Sequence, residues 1–224
     1  MYLGVNAGWG WIGSAGSADR GTFVFSGPFG VFPARPFQQD FTSPLFGGQF
    51  DYNLQTGNWI WGIEGDVDAG ELRAERSVTI PAGTAIPPGT GSLTGKEKWL
   101  ATGKGRFGYT WGQAMVFIEA GVAWNGVSVD GSSFAAGLGT TTFHSDFMQR
   151  GLVAGAGFAW MLSPNWSMRA EALYYSFNGV TFHQAIFPGA TVTLNTANDR
   201  FTDIVARVGL DYKFDIGTPV QTRY

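Results

Sequence analysis

Trp59-Ile60-Trp61-Gly62-Ile63-Glu64-Gly65-Asp66-Val67-Asp68-Ala69 separates into two sets when every second residue is taken. One set is Trp59, Trp61, Ile63, Gly65, Val67 and Ala69; the other is Ile60, Gly62, Glu64, Asp66 and Asp68. A helix would mix the sets around its circumference, whereas a strand sends them to opposite faces. The stretch therefore reads as a strand with one apolar face and one face bearing three carboxylates. Such a strand suits a bilayer, with its apolar face toward lipid and its acids toward a closed lumen. A soluble barrel has the same period with the apolar face inside. Three features favour the membrane. Trp and Tyr stand at strand ends on the apolar face, where an interfacial girdle belongs. The polar faces carry both charge signs on strands expected to be neighbours. Connections alternate between very short and very long.

Composition points the same way. The chain has 224 residues, 34 Gly, 19 Phe, 9 Trp and no Cys, and only 14% are charged. A soluble domain carries roughly 25% charged residues. No run of about 18 apolar residues exists, so no transmembrane helix is proposed. A soluble Gly-rich β-sandwich is the alternative. The net charge of −3 offers no basic patch, so nucleic acid is not an expected partner. Without cysteine there are no disulfides and no Cys-ligated metal sites; no metal or other cofactor is expected. An exported protein needs a signal peptide, and Met1 already stands at the edge of the first strand pattern. The sequence is therefore expected to be mature, truncated or numbered from the first ordered residue.

Alternation outlines eight strands at about 2–12, 46–55, 59–69, 98–111, 114–125, 149–161, 166–177 and 202–214. Each is long enough for a tilted span, which takes about 9–11 residues. Thr56-Gly57-Asn58, Gly112-Gln113 and Ser163-Pro164-Asn165 supply three short turns. Four long loops are expected at about 13–45, 70–95, 126–145 and 178–200. The fold class is all-β: an eight-stranded antiparallel transmembrane β-barrel over residues 1–214, with long extracellular loops and short periplasmic turns. Residues 215–224 are expected to form a short periplasmic tail. An even strand count lets the sheet close without an edge in lipid.

Several fragments resemble a known family: Gly48 to Asn53, Asn58 to Asp66, Gly105 to Tyr109, Pro164 to Ser167, Glu171 to Tyr175 and Val208 to Phe214. They look like the small outer-membrane proteins of alphaproteobacteria, the RopB-type, OmpA-like "porin family" barrels, across all eight strands. The resemblance implies an abundant Gram-negative outer-membrane protein with structural or surface roles. Two departures stand out. Tyr212-Lys213-Phe214 looks like the family's C-terminal aromatic signal, yet ten residues follow it, and the first loop is long and rich in Phe.

Inward positions carry Asp51, Glu64, Asp66, Asp68, Glu119, Glu171 and Asp211 with Lys104, Arg106, Arg169, Arg207 and Lys213. An eight-stranded barrel is just wide enough for side chains to fill, and unpaired buried charge is costly. An ion-pair plug is the expected result; a narrow charge-lined path is the alternative. The outward aromatic girdle comprises Trp9, Trp11, Trp59, Trp61, Trp99, Tyr109, Trp111, Trp124, Trp160, Trp166, Tyr174, Tyr212 and Phe214. Gly103-Lys104-Gly105-Arg106-Phe107-Gly108 has dinucleotide-site spacing but lies inside a strand with no helix after it, so it is read as chance. His144-Ser145-Asp146 evokes a rim hydrolase, but adjacent side chains on extended chain diverge, so no catalytic residue is assigned.

The first loop carries Phe23, Phe25, Phe29, Phe32, Phe37 and Phe41, too many for a solvated segment. It is expected to pack on itself, on a neighbouring barrel, on another surface protein or on lipopolysaccharide. Taken together, the chain is expected to be a structural outer-membrane protein with both termini periplasmic, in contact with outer-membrane lipid and lipopolysaccharide. A low-conductance porin is the runner-up and a rim-active enzyme the third reading.

Overall fold

The computed structural model describes residues 1–13, 22–27, 30–33, 41–80, 88–137, 139–178, 181–187, 190–195 and 200–214; side chains are described outside 12–42, 71–87, 93 and 179–201. Twelve strands occur among them: β1 (Tyr2–Gly13), β2 (Thr22–Gly27), β3 (Gly30–Pro33), β4 (Phe41–Thr56), β5 (Trp59–Ile80), β6 (Gly89–Trp111), β7 (Ala114–Ala135), β8 (Gly139–Met161), β9 (Trp166–Asn178), β10 (Thr181–Phe187), β11 (Ala190–Asn195) and β12 (Arg200–Lys213). Eight of them close into an antiparallel barrel in the order β1-β12-β9-β8-β7-β6-β5-β4. Tyr2 pairs both Lys213 and Asp51, so the first strand seals the ring between the last and the fourth.

Alternation sets the two faces as read from Trp59 to Ala69. Trp61, Ile63 and Val67 are 58%, 62% and 59% exposed, whereas Glu64, Asp66 and Asp68 are at most 3% exposed. An exposed Trp, Ile and Val row over buried carboxylates inverts a soluble barrel, and only an apolar surrounding makes that favourable. The aromatic residues form two rings. Trp59, Trp61, Tyr109, Trp111, Trp160, Trp166, Tyr212 and Phe214 lie toward the short turns, with Trp166–Tyr212 and Tyr212–Phe214 centroids 5.0 and 4.9 Å apart. Trp9, Trp11, Trp99, Trp124 and Tyr174 lie toward the other end. Trp99 and Trp111 are separated on β6 by about 40 Å of strand, or about 30 Å of height after tilt, which matches a hydrocarbon layer.

Two of the three short turns form where glycine allows. Gly57 and Gly112 adopt φ of +62° and +61°, and no non-glycine residue has positive φ among the described residues. Asn58 therefore does not share the left-handed conformation, and the Gly-first pattern is that of a type II′ turn, whose twist suits a hairpin.

The long connections are not the loops expected from the sequence. β5 and β6 remain paired out to Ile80 and Gly89, and β7 and β8 out to Ala135 and Gly139. The expected loops at 70–95 and 126–145 are thus mostly sheet, continuing past the aromatic ring. Parts of the other two connections make a second, four-stranded sheet in the order β10-β11-β2-β3. The segment 13–45 thereby contributes two strands, and β4 begins at Phe41. Part of the signal was present, since Leu72, Ala74, Val78 and Ile80 alternate with Glu71, Arg73, Glu75, Ser77 and Thr79, and Val192 and Leu194 with Thr191, Thr193 and Asn195, but the prolines and glycines between such runs read as loop. Pro44 is accommodated where β4 is paired only on its β1 side. Phe29, Phe37 and the tail 215–224 lie outside the described residues.

Candidate functional site: a two-layered lumen

Inward positions meet at the axis in two layers. Nearest the short turns is a charged layer. Arg207 on β12 donates from Nη1 to Asp66 Oδ1 at 2.9 Å and Asp68 Oδ2 at 2.8 Å, from Nη2 to Glu64 Oε1 at 3.2 Å, and from Nε to Glu171. Arg169 on β9 reaches Asp51 Oδ2 at 3.0 Å and Glu64, and its Nε lies 3.3 Å from Asp211 Oδ2. Arg106 on β6 bonds Asp51 Oδ1 at 2.8 Å, Glu119 Oε2 at 3.0 Å and Glu64, while its guanidinium carbon sits 4.2 Å from the Phe117 ring centroid. Lys104 Nζ is 2.7 Å from Glu64 and 3.1 Å from both Asp66 and Glu119.

Each cation therefore laces several strands across the bore rather than pairing one neighbour. Guanidinium suits this role because its donors fan out in a fixed plane. Carboxylates outnumber cations in the layer, and neutral donors meet part of the excess. Thr102 Oγ1 donates to Asp66, Gln49 Nε2 donates to Asp211 Oδ1 at 2.6 Å, and Asn6 Nδ2 donates to Gln49 at 3.0 Å. The carboxylates of Glu64, Glu119 and Glu171 lie within 4.8 Å of one another, a spacing a metal ion could use. The ammonium of Lys104 already supplies a cation to two of them. Lys213 is half-buried and lines a recess of about 140 Å³ at the short-turn end, with Asp51, Arg106, Arg169 and Asp211 on its wall.

Glycine makes the close packing possible. A Cβ at Gly47 would collide with the Asp68 carboxylate, and one at Gly4 with the Asp211 carboxylate.

Beyond the charges lies an apolar layer of Leu45, Leu100, Ala123, Val153, Leu173, Tyr175, Phe177 and Val205. Tyr175 and Phe177 stack with centroids 6.0 Å apart and planes 5° from parallel. The ion-pair reading of the sequence missed this second layer. Its signal was present, since Leu173 and Tyr175 share the inward parity of Arg169 and Glu171.

The glycine-rich spacing at 103–108 lies within β6, hydrogen-bonded to β5 and β7 on either side. Nothing there resembles a phosphate-binding turn. His144 lies on the outer face beyond the aromatic ring. Its Nδ1 is 2.6 Å from Asp130 Oδ1 and its Nε2 is 3.1 Å from Asp146 Oδ2. These carboxylates hold the imidazole above its ordinary value, and His144 and Lys98 hold Asp130 and Asp146 below theirs. Both ring nitrogens thus face acids, and Ser145 points to the opposite face. His183 lies on β10, where side chains are not described.

A closed ring of lipid-height strands, apolar outside and charged inside, defines a transmembrane β-barrel of the outer-membrane class. The chain belongs to the outer membrane protein beta-barrel domain family, whose sequence model matches residues 1–214, as a small alphaproteobacterial outer-membrane protein. It is 30% identical over 227 residues to the 31 kDa outer-membrane immunogenic protein of Brucella melitensis, covering 95% of this chain and 82% of that one. The same figures hold for the protein of that description from Brucella suis. Among solved structures it is similar to OprG of Pseudomonas aeruginosa, with 13% identity, 95% of each chain covered and a TM-score of 0.41. Ail of Yersinia pestis matches at 11% identity over 95% of this chain and 98% of that one, with a TM-score of 0.34.

Proposed function

We propose that this barrel is a structural protein of the bacterial outer membrane. On this reading it contributes to membrane integrity and offers its outer segments for surface interaction or lateral assembly, and it is neither an enzyme nor an open pore. The observation that carries the reading is the stacking of a charged layer and an apolar layer across one narrow bore. An ion would have to displace bonded guanidinium groups and then cross an apolar layer, which is costly. Purified protein in planar bilayers is expected to give small or absent currents; large, steady, porin-sized steps would overturn the proposal.

A low-conductance pore for small solutes or ions is the second reading. It is favoured by the 140 Å³ recess that reaches the charged layer from the short-turn end. Both termini of the barrel lie at that end, which this reading places in the periplasm. Protease treatment of intact cells should then cut the β5–β6 or β7–β8 hairpin and spare an epitope tag placed after Phe214.

Outer-membrane lipid and lipopolysaccharide are the proposed surroundings. The Phe-rich segment from Phe23 to Phe41 is the proposed contact for a neighbouring barrel or surface protein. Deleting it should leave heat-modifiable folding intact and change the oligomer size; an unchanged size counts against assembly.

A further inference from the structure

The outer wall of β6, β7 and β8 carries a polar patch at the aromatic ring of the long-hairpin end. Along β7, Trp124 stands opposite Ala101 and Arg150, Gly126 opposite Trp99 and Met148, and Ser128 opposite Lys96 and Asp146. The Trp99 indole lies over Gly126, where an added Cβ would collide with it. Trp99 and Met148 thus form an exposed apolar shelf. Arg150 is exposed on the hydrocarbon side of the shelf. Lys98 and Lys96 stand on its far side, with their Nζ atoms 2.9 Å from Asp146 and 3.7 Å from Asp130.

A β-bulge brings the two lysines there. On β7 the partners of Glu97 and Trp99 are Val127 and Gly126, so Lys98 is an extra residue on β6. Strict alternation from Trp99 would send Lys98 and Lys96 inward. The extra residue reverses the parity, so that Lys96 faces outward beside Ser128 and Lys98 reaches Asp146. Glu97 turns inward instead, to the wall of a small cavity that it shares with Asn125 and Asp203. Among the described residues, all the basic side chains on the outer wall stand in this patch. The others point into the lumen or, for Lys213, line its short-turn recess.

Tryptophan marks the level of the lipid headgroups, and cations beside it meet whatever anions those headgroups carry. Three cations here outnumber the two acids, Asp130 and Asp146. Arg150 lies four residues from Asp146, which holds Lys98, so the two cations stand about 13 Å apart along the wall. A phospholipid with one phosphate spans neither that distance nor the shelf between. A disaccharide with a phosphate at each end spans both. The exposed pairs to Asp146 and Asp130 are weak, so the lysines can turn to a phosphate at little cost. We infer that Arg150, Lys98 and Lys96, set around the Trp99–Met148 shelf, bind the bis-phosphorylated disaccharide headgroup of lipopolysaccharide. This deepens the surroundings proposed above and rests on the long hairpins facing the cell exterior, because lipopolysaccharide occupies the outer leaflet.

Native mass spectrometry of the full chain folded in detergent with EDTA, titrated with lipid, tests this. Lipid A carrying two phosphates should bind one to one and about fivefold more tightly than phosphatidylglycerol, with monophosphoryl lipid A between them. Arg150→Gln and Lys98→Gln should each weaken the lipid A complex about fivefold, the factor expected of one surface cation, whereas Arg150→Lys should keep most of it. Asp146→Asn, which releases Lys98 and removes a repelling charge, should tighten it. All these residues lie on the outer wall, so each variant should still fold into a heat-modifiable barrel. Equal binding of phosphatidylglycerol and lipid A overturns the inference, and so does a lipid A complex insensitive to Arg150→Gln and Lys98→Gln. Protease protection of both long hairpins on intact cells would overturn the orientation and the inference with it. Cleaved hairpins with no preference for lipid A overturn the inference alone.

Discussion

The two halves of the lumen are drawn from one ring of strands and solve the same problem by opposite means. Near the short turns, β5, β6, β9 and β12 present Glu64, Asp66, Lys104, Arg106, Arg169 and Arg207. A few residues further along, β4, β6, β8 and β9 present Leu45, Leu100, Val153, Leu173 and Phe177. The charged half is cohesive only while complete, because desolvated ions depend on their partners. The apolar half is held by contact and hydrophobic burial, which degrade gradually as atoms are removed. Single substitutions should therefore hurt the first half more than the second.

The largest expected effect is Arg207→Leu. It leaves Glu64, Asp66, Asp68 and Glu171 facing one another without their shared guanidinium, and the cost should approach about 5 kcal/mol. Denaturant unfolding from lipid vesicles measures it; a loss below about 1 kcal/mol would show that the layer rearranges or hydrates freely.

Next comes Phe177→Ala in the apolar half, with an expected loss of about 3 kcal/mol in the same assay. A loss equal to that of Arg207→Leu would erase the contrast between the layers. Bilayer recordings on this variant sharpen it further: raised conductance would identify the aromatic layer as the barrier to ions.

A smaller effect of opposite sign is expected at Tyr175, whose hydroxyl is buried without a hydrogen-bond partner. Tyr175→Phe removes that group and should be neutral or stabilising by about 1 kcal/mol. Clear destabilisation would mean the hydroxyl is bonded through water.

The smallest effect belongs to the solvated cluster of His144, Asp130 and Asp146 outside the membrane. Both acids are held below their ordinary 3.8, Asp146 at about 2, so their contribution is present above the ordinary carboxylate range and lost as pH falls through the folded values. His144 is held above its ordinary 6.5, so its contribution is complete below 6.5 and lost as pH rises through the folded value. The hairpin should be tightest between about pH 4 and 6.5. Ring-proton titration of His144 by NMR should show a midpoint above 6.5 that falls to the ordinary value in Asp130→Asn/Asp146→Asn. Being exposed, the cluster should leave barrel melting nearly unchanged in His144→Ala.

Much of this architecture was legible in the residues. From Trp59 to Ala69 the period of two separates lipid-facing Trp61 and Ile63 from lumen-facing Glu64 and Asp66, and the same parity places Arg106, Arg169 and Arg207. The protruding sheet was missed: alternation runs on through Leu72, Ala74, Val78 and Ile80, but Pro81, Pro87, Pro88 and the glycines among them outweighed it and read as loop. Glu97 was hidden for a different reason: Glu97 and Trp99 face Val127 and Gly126 of β7, so Lys98 is an extra residue, a β-bulge that breaks the parity on which the reading depends, and only the cross-strand register reveals it. Tyr175 and Phe177 were on the correct face, yet parity does not state what an inward side chain meets.

The sequence by itself determined the strand period, the outward aromatic rings, the three tight turns and the presence of both charge signs inside. These follow from local chemistry, since alternation and glycine conformation act within a few residues. The tertiary structure alone decided which guanidinium meets which carboxylate, where the apolar layer caps the ions, and how the bulge delivers Glu97 to Asn125 and Asp203. Those outcomes depend on the stagger of eight strands around a common axis, and that stagger is a property of the closed ring rather than of any one strand.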